Sequence, residues 1–394
     1  MPEPMPVASA PPSPLTRATP DPVPALPNAV GRTVDFVLAT ADPDRTDRLW
    51  PADARVYDTN PLNLVYGAAG IALFLDEVTG RVPDAARSWM LDRVREVSLP
   101  PGLYTGAAGV AHVLARLGEG AEAERLLARA APAAAVLDDP SLFQGLAGWG
   151  WANVVHHTRT GHGDALQRAV DAAERLIDRA ERSDDGWSWP SPDDPEGPVP
   201  TPLGLGLGAS GPALFFLALA RATDAVRYGE AARNALDFEL AHATSVDGAL
   251  RWGSDVEYAG SRPYWFGGTA GVGQVLVHAA RELDEPAYLD AARRAADGTR
   301  ALLTPTHGRM WGLSGIGEFL LDLAHVTGEA VYRERACAAA DGVLCYRVER
   351  PEGLAFPSRH LRRLSNDLST GAAGCGLFLH RVATDTPRDL LDLP

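Results

Sequence analysis

The chain has 394 residues, 46% of them hydrophobic, with 36 basic side chains against 51 acidic ones and a formal net charge of −15. That is enough apolar material for one large or two ordinary domains, and the negative charge repels phosphate backbones and anionic lipid, so neither nucleic acid nor a membrane is expected as a partner. All 36 basic residues are arginine, so the chain can form no Schiff base and can complete neither a P-loop nor a protein-kinase phosphate site by itself.

Residues 1 to 27 are rich in Pro and Ala without a continuous apolar run, and read as a flexible tail or linker rather than a signal or anchor. One folded unit is expected over 28 to 386, followed by a short tail at 387 to 394. No stretch approaches the roughly 18 apolar residues of a membrane span. Cys337, Cys345 and Cys375 are too irregular for a disulfide framework or a CxxC pair, which suits a reducing cytoplasm.

A first helix is predicted near 30 to 41. After it the chain repeats one signal seven times, Gly-x-x-Gly opening an apolar helical run: Gly67-Ala-Ala-Gly70, Gly106-Ala-Ala-Gly109, Gly145-Leu-Ala-Gly148, Gly208-Ala-Ser-Gly211, Gly268-Thr-Ala-Gly271, Gly312-Leu-Ser-Gly315 and Gly371-Ala-Ala-Gly374. The runs are apolar on nearly all sides, as a helix buried on both faces should be. Between them lie charged amphipathic segments, at 82 to 97, 121 to 136, 164 to 182, 224 to 243, 287 to 303 and 329 to 346. If the N-terminal helix supplies the seventh outer partner and lies beside the last inner helix, at about 371 to 383, the repeat closes. The predicted fold is therefore all-α, an α/α toroid of seven inner and seven outer helices, with strands confined to loops.

Small residues at each inner-helix start let seven helix ends crowd around one axis, and their dipoles converge on an electropositive mouth that would stabilise a developing anion. Long loops at 183 to 206, 244 to 266 and 347 to 370 enter the same mouth with aromatics and arginines, which suits an extended, partly apolar ligand such as a peptide or glycan.

The seven repeats, together with Phe143-Gln-Gly-Leu-Ala-Gly148, Tyr264-Trp-Phe-Gly-Gly-Thr-Ala-Gly271 and Asn366-Asp-Leu-Ser-Thr-Gly-Ala-Ala-Gly374, resemble the lanthionine synthetase C-like (LanC-like) cyclases over about residues 30 to 385. The likeness is nearest to the cyclase portion of class III lanthipeptide synthetases, which a lyase and a kinase normally precede. It implies addition of a peptide Cys thiol to a dehydroalanine or dehydrobutyrine of the same precursor peptide, closing a thioether ring. Zinc-dependent members hold the metal with a Cys in the fifth repeat and a Cys-His pair in the sixth, and the matching positions here are Phe266, Met310 and Trp311. A histidine expected before the fourth repeat is Leu207, and an acid expected before the third falls on Ser141, with Asp138 and Asp139 nearby. The resemblance thus implies a zinc-free member, with no metal ligands and no cofactor.

Without metal, a thiolate must come from a base or a positive field, because a free thiol with a pKa of about 8.5 is only a few per cent ionised at neutral pH. The candidate bases are His307, five residues before Gly312, and His360 in the last long loop. Asp367 would orient a histidine or pair with arginine; alternatively it caps the helix beginning near Thr370. Tyr264 would protonate the enolate or Arg262 stabilise it. Tyr66, Tyr104, Gln144, Trp265, Phe266 and Trp311 stand just ahead of the inner-helix glycines and are expected to line the peptide-binding mouth. His156, His157 and His162 lack a fourth convergent ligand. Two other readings remain open: a catalytically silent toroid that holds the precursor or a partner kinase or lyase, and a carbohydrate-active α/α barrel, which would need two flanking carboxylates such as Asp255 with Glu257 or Asp367.

Overall fold

The computed structural model describes residues 25–190, 200–300 and 304–387; most of the expected N-terminal tail and C-terminal tail lies outside them. The seven apolar runs form the inner helices α3 (Ala68–Thr79), α5 (Ala107–Arg116), α7 (Leu146–Thr160), α9 (Ser210–Thr223), α11 (Thr269–Glu282), α13 (Leu313–Thr327) and α15 (Ala372–Thr384). Each packs on the next, and α15 packs on α3, so the ring is closed. The outer layer is α1 (Leu26–Ala39), α4 (Asp84–Glu96), α6 (Gly120–Ala134), α8 (Gly163–Arg179), α10 (Val226–Ala241), α12 (Pro286–Gly298) and α14 (Ala330–Leu344), and a single turn, α2 (Arg55–Asp58), lies before α3. As expected, α1 leans on α15 and completes the outer layer. It begins at Leu26, inside the stretch read as tail, with a proline in its first turn, where a missing N–H costs nothing.

The outer helices bury one stripe. In α8 that stripe is Ala165, Ala169, Ala172, Ala173 and Leu176, at helical spacing, with the charged residues opposite. Small side chains there bring the outer helix close to the inner layer. The helix pairs α7–α8 and α13–α14 turn on Gly161 (φ 74°) and Gly328 (φ 70°), whose left-handed backbone ends the inner helix.

Three long outer-to-inner connections fold as β-hairpins: β1 (Glu181–Ser183) with β2 (Gly186–Ser188), β3 (Thr244–Val246) with β4 (Ala249–Arg251), and β5 (Val348–Arg350) with β6 (Gly353–Pro357), to which β7 (Leu364–Ser365) adds a third strand. Each leans on the next outer helix around the ring, β2 on α10, β4 on α12 and β6 on α1. Tryptophans fasten the connections: the indole N–H of Trp50 donates to Val37 O (2.9 Å), that of Trp189 to Leu176 O (2.8 Å) and that of Trp252 to Glu239 O (2.6 Å). These three rings serve the fold and not the mouth.

Closure is sealed by a cycle of backbone hydrogen bonds two residues before each first glycine. The N–H of Val65 donates to Tyr104 O, Tyr104 to Phe143 O, Phe143 to Gly206 O, Gly206 to Phe266 O, Phe266 to Met310 O, Met310 to Ser369 O, and Ser369 back to Val65 O, at 2.7–3.2 Å. All seven glycine pairs therefore lie at one end. The second glycine of each pair is a packing requirement: a Cβ on Gly109 would overlap the Leu103 carbonyl oxygen and meet the Leu64 side chain at 3.0 Å, and one on Gly374 would overlap Leu368 O and meet Arg309 Cβ at 3.2 Å. Just inside the hydrogen-bonded ring, Leu64, Leu103, Leu142, Leu205, Trp265, Arg309 and Leu368 are all buried. Arg309 donates to Glu318 (2.6 Å), Arg381 to Glu318 (2.7 Å) and to Asp322, Gln274 to Asp322 (2.5 Å), and Trp265 to Gln274 (2.6 Å), a buried polar chain through repeats five to seven.

Candidate functional site

Outside the hydrogen-bonded ring, residues at or just after five of its seven positions form the floor of a cavity of about 220 Å³. Tyr66, Phe143, Phe266, Met310, Trp311 and Thr370 come from the repeats. Asp53 and Arg55 enter from the segment around α2, and Arg359 and His360 from the tip of the β6–β7 hairpin.

The floor is aromatic. Phe266 stands edge-on to Phe143 at 4.9 Å and against Trp311 at 4.4 Å, and Tyr104 stacks under Phe143 at 5.3 Å. Gly206 makes this possible, because a Cβ there would stand 2.7 Å from the Phe266 ring. The fourth repeat thus leaves room for rings of the third and fifth to meet. Such a surface seats apolar and sulfur-containing side chains through dispersion and S–aromatic contact. Its residues do not fit zinc: at the three positions that the resemblance matches to zinc ligands, a phenyl and an indole offer no lone pair and Met310 only a neutral thioether. Among the described residues no group of three or more His, Cys, Asp or Glu side chains is placed to hold a metal ion; His156 instead faces Glu124 at 3.1 Å.

The predicted site residues divide sharply. Tyr66, Phe266, Trp311 and His360 line the cavity. Tyr104 and Trp265 are fully buried beneath it, edge-on to each other at 5.8 Å. Gln144 is exposed outside it and donates to Asp139 Oδ2 at 2.8 Å. Tyr264 and Arg262 are half-buried in the loop before α11 and stay outside the lining, with the Arg262 guanidinium 5.0 Å over Tyr258.

His307 is buried in the wall: its Nε2 lies 3.0 Å from the Pro357 carbonyl oxygen and its ring stacks on Tyr346 at 4.8 Å. Burial holds its pKa down at about 4. Asp367 is fully buried and accepts the N–H groups of Thr370 (2.7 Å) and Asp53 (3.1 Å) and the Ser365 hydroxyl. Asn63 and Ser141 accept the corresponding N–H in repeats one and three, so Asp367 caps its turn as they do.

One electrostatic expectation fails. The converging helix ends do not present free N–H groups to a ligand, because in α3, α5, α7, α11 and α13 the first two helical donors are taken by carbonyls of the preceding turn, as Ala107 N–H by Pro100 O (2.7 Å) and Leu146 N–H by Asp139 O (2.8 Å). At α9 the buried Glu239 carboxylate accepts Ser210 and Gly204 N–H, both at 2.9 Å. Positive charge at the mouth comes from side chains: Arg55, and Arg359, whose guanidinium lies 4.9 Å over the Trp311 ring. Burial, helped by the Asp367 and Asp53 carboxylates, pushes the Tyr66 phenol up, so it remains an O–H donor.

Sequence reasoning missed Asp53, Arg55 and Phe143. Phe143 was legible, since it holds the same place before Gly145 as Phe266 before Gly268. Asp53 and Arg55 carry no motif, and only the fold brings them over the floor.

The comparisons bear on the family and the fold. The family model described as lanthionine synthetase C-like protein matches residues 58–393. The probable SapB synthase of Streptomyces coelicolor is 30% identical over 383 residues, 91% of this chain and 38% of that protein, so the chain spans well under half of the relative's length. Among solved structures, nisin cyclase superposes with a TM-score of 0.65 at 15% identity, covering 84% of this chain and 90% of that one. Cellobiose 2-epimerase from Spirochaeta thermophila reaches 0.50 at 15% identity, covering 91% and 96%, which shows a shared toroid. Seven glycine-pair repeats closed into a ring, and a family model matched over most of its length, make this chain a member of the lanthionine synthetase C-like family.

Proposed function

We propose that this toroid promotes thioether ring closure in a dehydrated precursor peptide without zinc, in the manner of class III synthetases, working in the cytoplasm after separate or linked kinase and lyase activities. The observation that carries the reading is the cavity itself, where family membership coincides with an aromatic floor at the metal-ligand positions and with proton-transfer and cationic groups around it. His360 takes the proton from the cysteine thiol, and the sulfur adds to the β-carbon of dehydroalanine or dehydrobutyrine. The electron pair of the alkene moves onto the α-carbon and its carbonyl as an enolate, which Arg55 and Arg359 stabilise and which the Tyr66 O–H protonates. Tyr66 thereby replaces Tyr264, and Arg359 replaces Arg262, in the roles assigned from sequence, because the cavity contains the former and not the latter. Holding thiol and alkene together on the floor supplies the remaining acceleration. A sugar-processing reading finds little support: Asp53 is the one carboxylate among the lining residues, while Asp367 is buried in its turn and Asp255 holds the N–H of Glu257.

The test is ring formation on a dehydrated precursor, read by mass spectrometry after thiol alkylation between pH 6 and 9. Wild type should outpace a no-enzyme control, and His360→Ala and Tyr66→Phe should each lose about 10²-fold in rate. Wild type equal to the control at every pH would leave the silent peptide-binding toroid as the function.

A further inference from the structure

In a chain of net charge −15 most arginines are matched by carboxylates: Arg116 pairs with Asp76, Arg233 with Glu285, Arg293 with Glu329 and Arg168 with Glu124. At the mouth, four that are not stand together. Among the described residues no carboxylate lies within ion-pair distance of Arg55, Arg359, Arg362 or Arg363. Three of these stand on the six-residue tip of the β6–β7 hairpin, Ser358-Arg-His-Leu-Arg-Arg363, and the fourth, Arg55, opens α2 and lines the same cavity.

The tip is a built feature. Ser358 N–H donates to Arg363 O and Leu361 N–H to Ser358 O, both at 2.8 Å, and β6 and β7 pair below it. Leu361 holds a left-handed backbone (φ 55°) and leaves 53% of its surface in water, unusual on both counts for leucine. The Arg359 guanidinium lies 4.9 Å over the Trp311 ring at the cavity rim, on an exposed residue that a planar, two-oxygen acceptor can reach.

We infer that this hairpin tip is a docking surface for an acidic, leucine-type segment of the peptide substrate, carboxylates meeting Arg359, Arg362 and Arg363 while an apolar side chain covers Leu361. The charges are distributed along the tip and across the mouth on two separate segments, which suits several spaced carboxylates better than a single phosphate. Local positive charge in a negative protein also steers such a peptide toward this end of the toroid. The inference rests on the peptide-cyclase reading for its occupant, but the surface is tested without any ring chemistry.

A fluorescein-labelled 15-residue peptide with four Glu and two Leu, free of Cys, Ser and Thr, is titrated with the full chain and followed by anisotropy, beside its Gln counterpart and a form bearing one phosphoserine. The acidic peptide should bind about tenfold tighter than the Gln form at low salt. Arg359→Gln/Arg362→Gln/Arg363→Gln should erase that preference, and Arg95→Gln/Arg125→Gln/Arg293→Gln on the outer helices should change it less than twofold. Equal binding of the Glu and Gln peptides, or an undiminished preference in the tip variant, overturns the inference, as does tighter binding of the phosphoserine peptide than of the Glu peptide. Ring closure is measured separately on wild type: an acid-dependent surface with no ring closure removes the cyclase reading alone, and ring closure with no acid preference removes the docking surface alone.

Discussion

Replacing His307 by Gln distinguishes a wall histidine from a reacting one. Burial lowers the His307 imidazole from 6.5 to about 4, so the folded chain keeps the ring neutral where the unfolded chain would protonate it. For a base held below its ordinary pKa, the stability it contributes is complete above pH 6.5 and is lost as the pH falls through that value toward 4. By pH 4 the loss amounts to roughly 3 kcal/mol. Glutamine keeps an N–H within reach of the Pro357 carbonyl and removes the titrating group, so the variant should differ from wild type by about 1 kcal/mol at pH 7. Urea titrations of both proteins at pH 7, 6, 5 and 4 should show the difference moving by roughly 3 kcal/mol in the variant's favour. Glu239 and Asp367, which burial pushes upward, titrate in both proteins and cancel in the difference. Parallel curves would refute the buried, neutral histidine. Ring closure by the variant should match wild type, and a 10²-fold loss at unchanged stability would return His307 to the role of base.

Four further outcomes follow from the same geometry. Gly109→Ala pushes a methyl group into the Leu103 carbonyl oxygen and should lower the unfolding free energy by about 1–3 kcal/mol, read as a fall in Tm; an unchanged Tm would mean that the helix ends are not close-packed. Glu318→Gln leaves Arg309 and Arg381 buried against a reduced counter-charge and should cost about 3–5 kcal/mol, whereas Glu285→Gln, removing an exposed pair with Arg233, should cost under about 1 kcal/mol by the same denaturant titration. Trp311→Ala removes both a floor ring and the platform of Arg359, so a dehydrated precursor should bind about tenfold more weakly, while Arg293→Gln on α12 leaves binding unchanged. Metal analysis of protein purified without added metal should find far less than one zinc per chain; a stoichiometric zinc that resists chelation would contradict the reading of Phe266, Met310 and Trp311.

The architecture was legible because it is written by repetition. A Gly-x-x-Gly pair before an apolar run recurs seven times, each copy demands the same helix start, and an apolar last helix next to an unpartnered first one requires closure. The zinc-free reading also comes from the sequence alone, since it rests on the family resemblance and on the residue types Phe266, Met310 and Trp311, and metal analysis is its test. What only the tertiary structure decided is which neighbours of those glycines face the cavity. Trp265 and Trp311 are both tryptophans just ahead of a glycine pair, yet one lies three residues and the other one residue before it. The segment between those two offsets is a turn and not a strand, so no two-residue period places them: Trp265 goes into the core with Arg309, which has the same offset, while Trp311 stays at the rim. The availability of the helix dipoles was equally hidden, because whether a first-turn N–H is free depends on where the preceding five or six residues fold back, and here they fold onto it. Asp53, Arg55 and the β6–β7 tip reach the cavity from opposite ends of the chain, joined by no spacing or period. They meet there because the first outer helix closes on the last inner one, and that closure is a property of the completed ring.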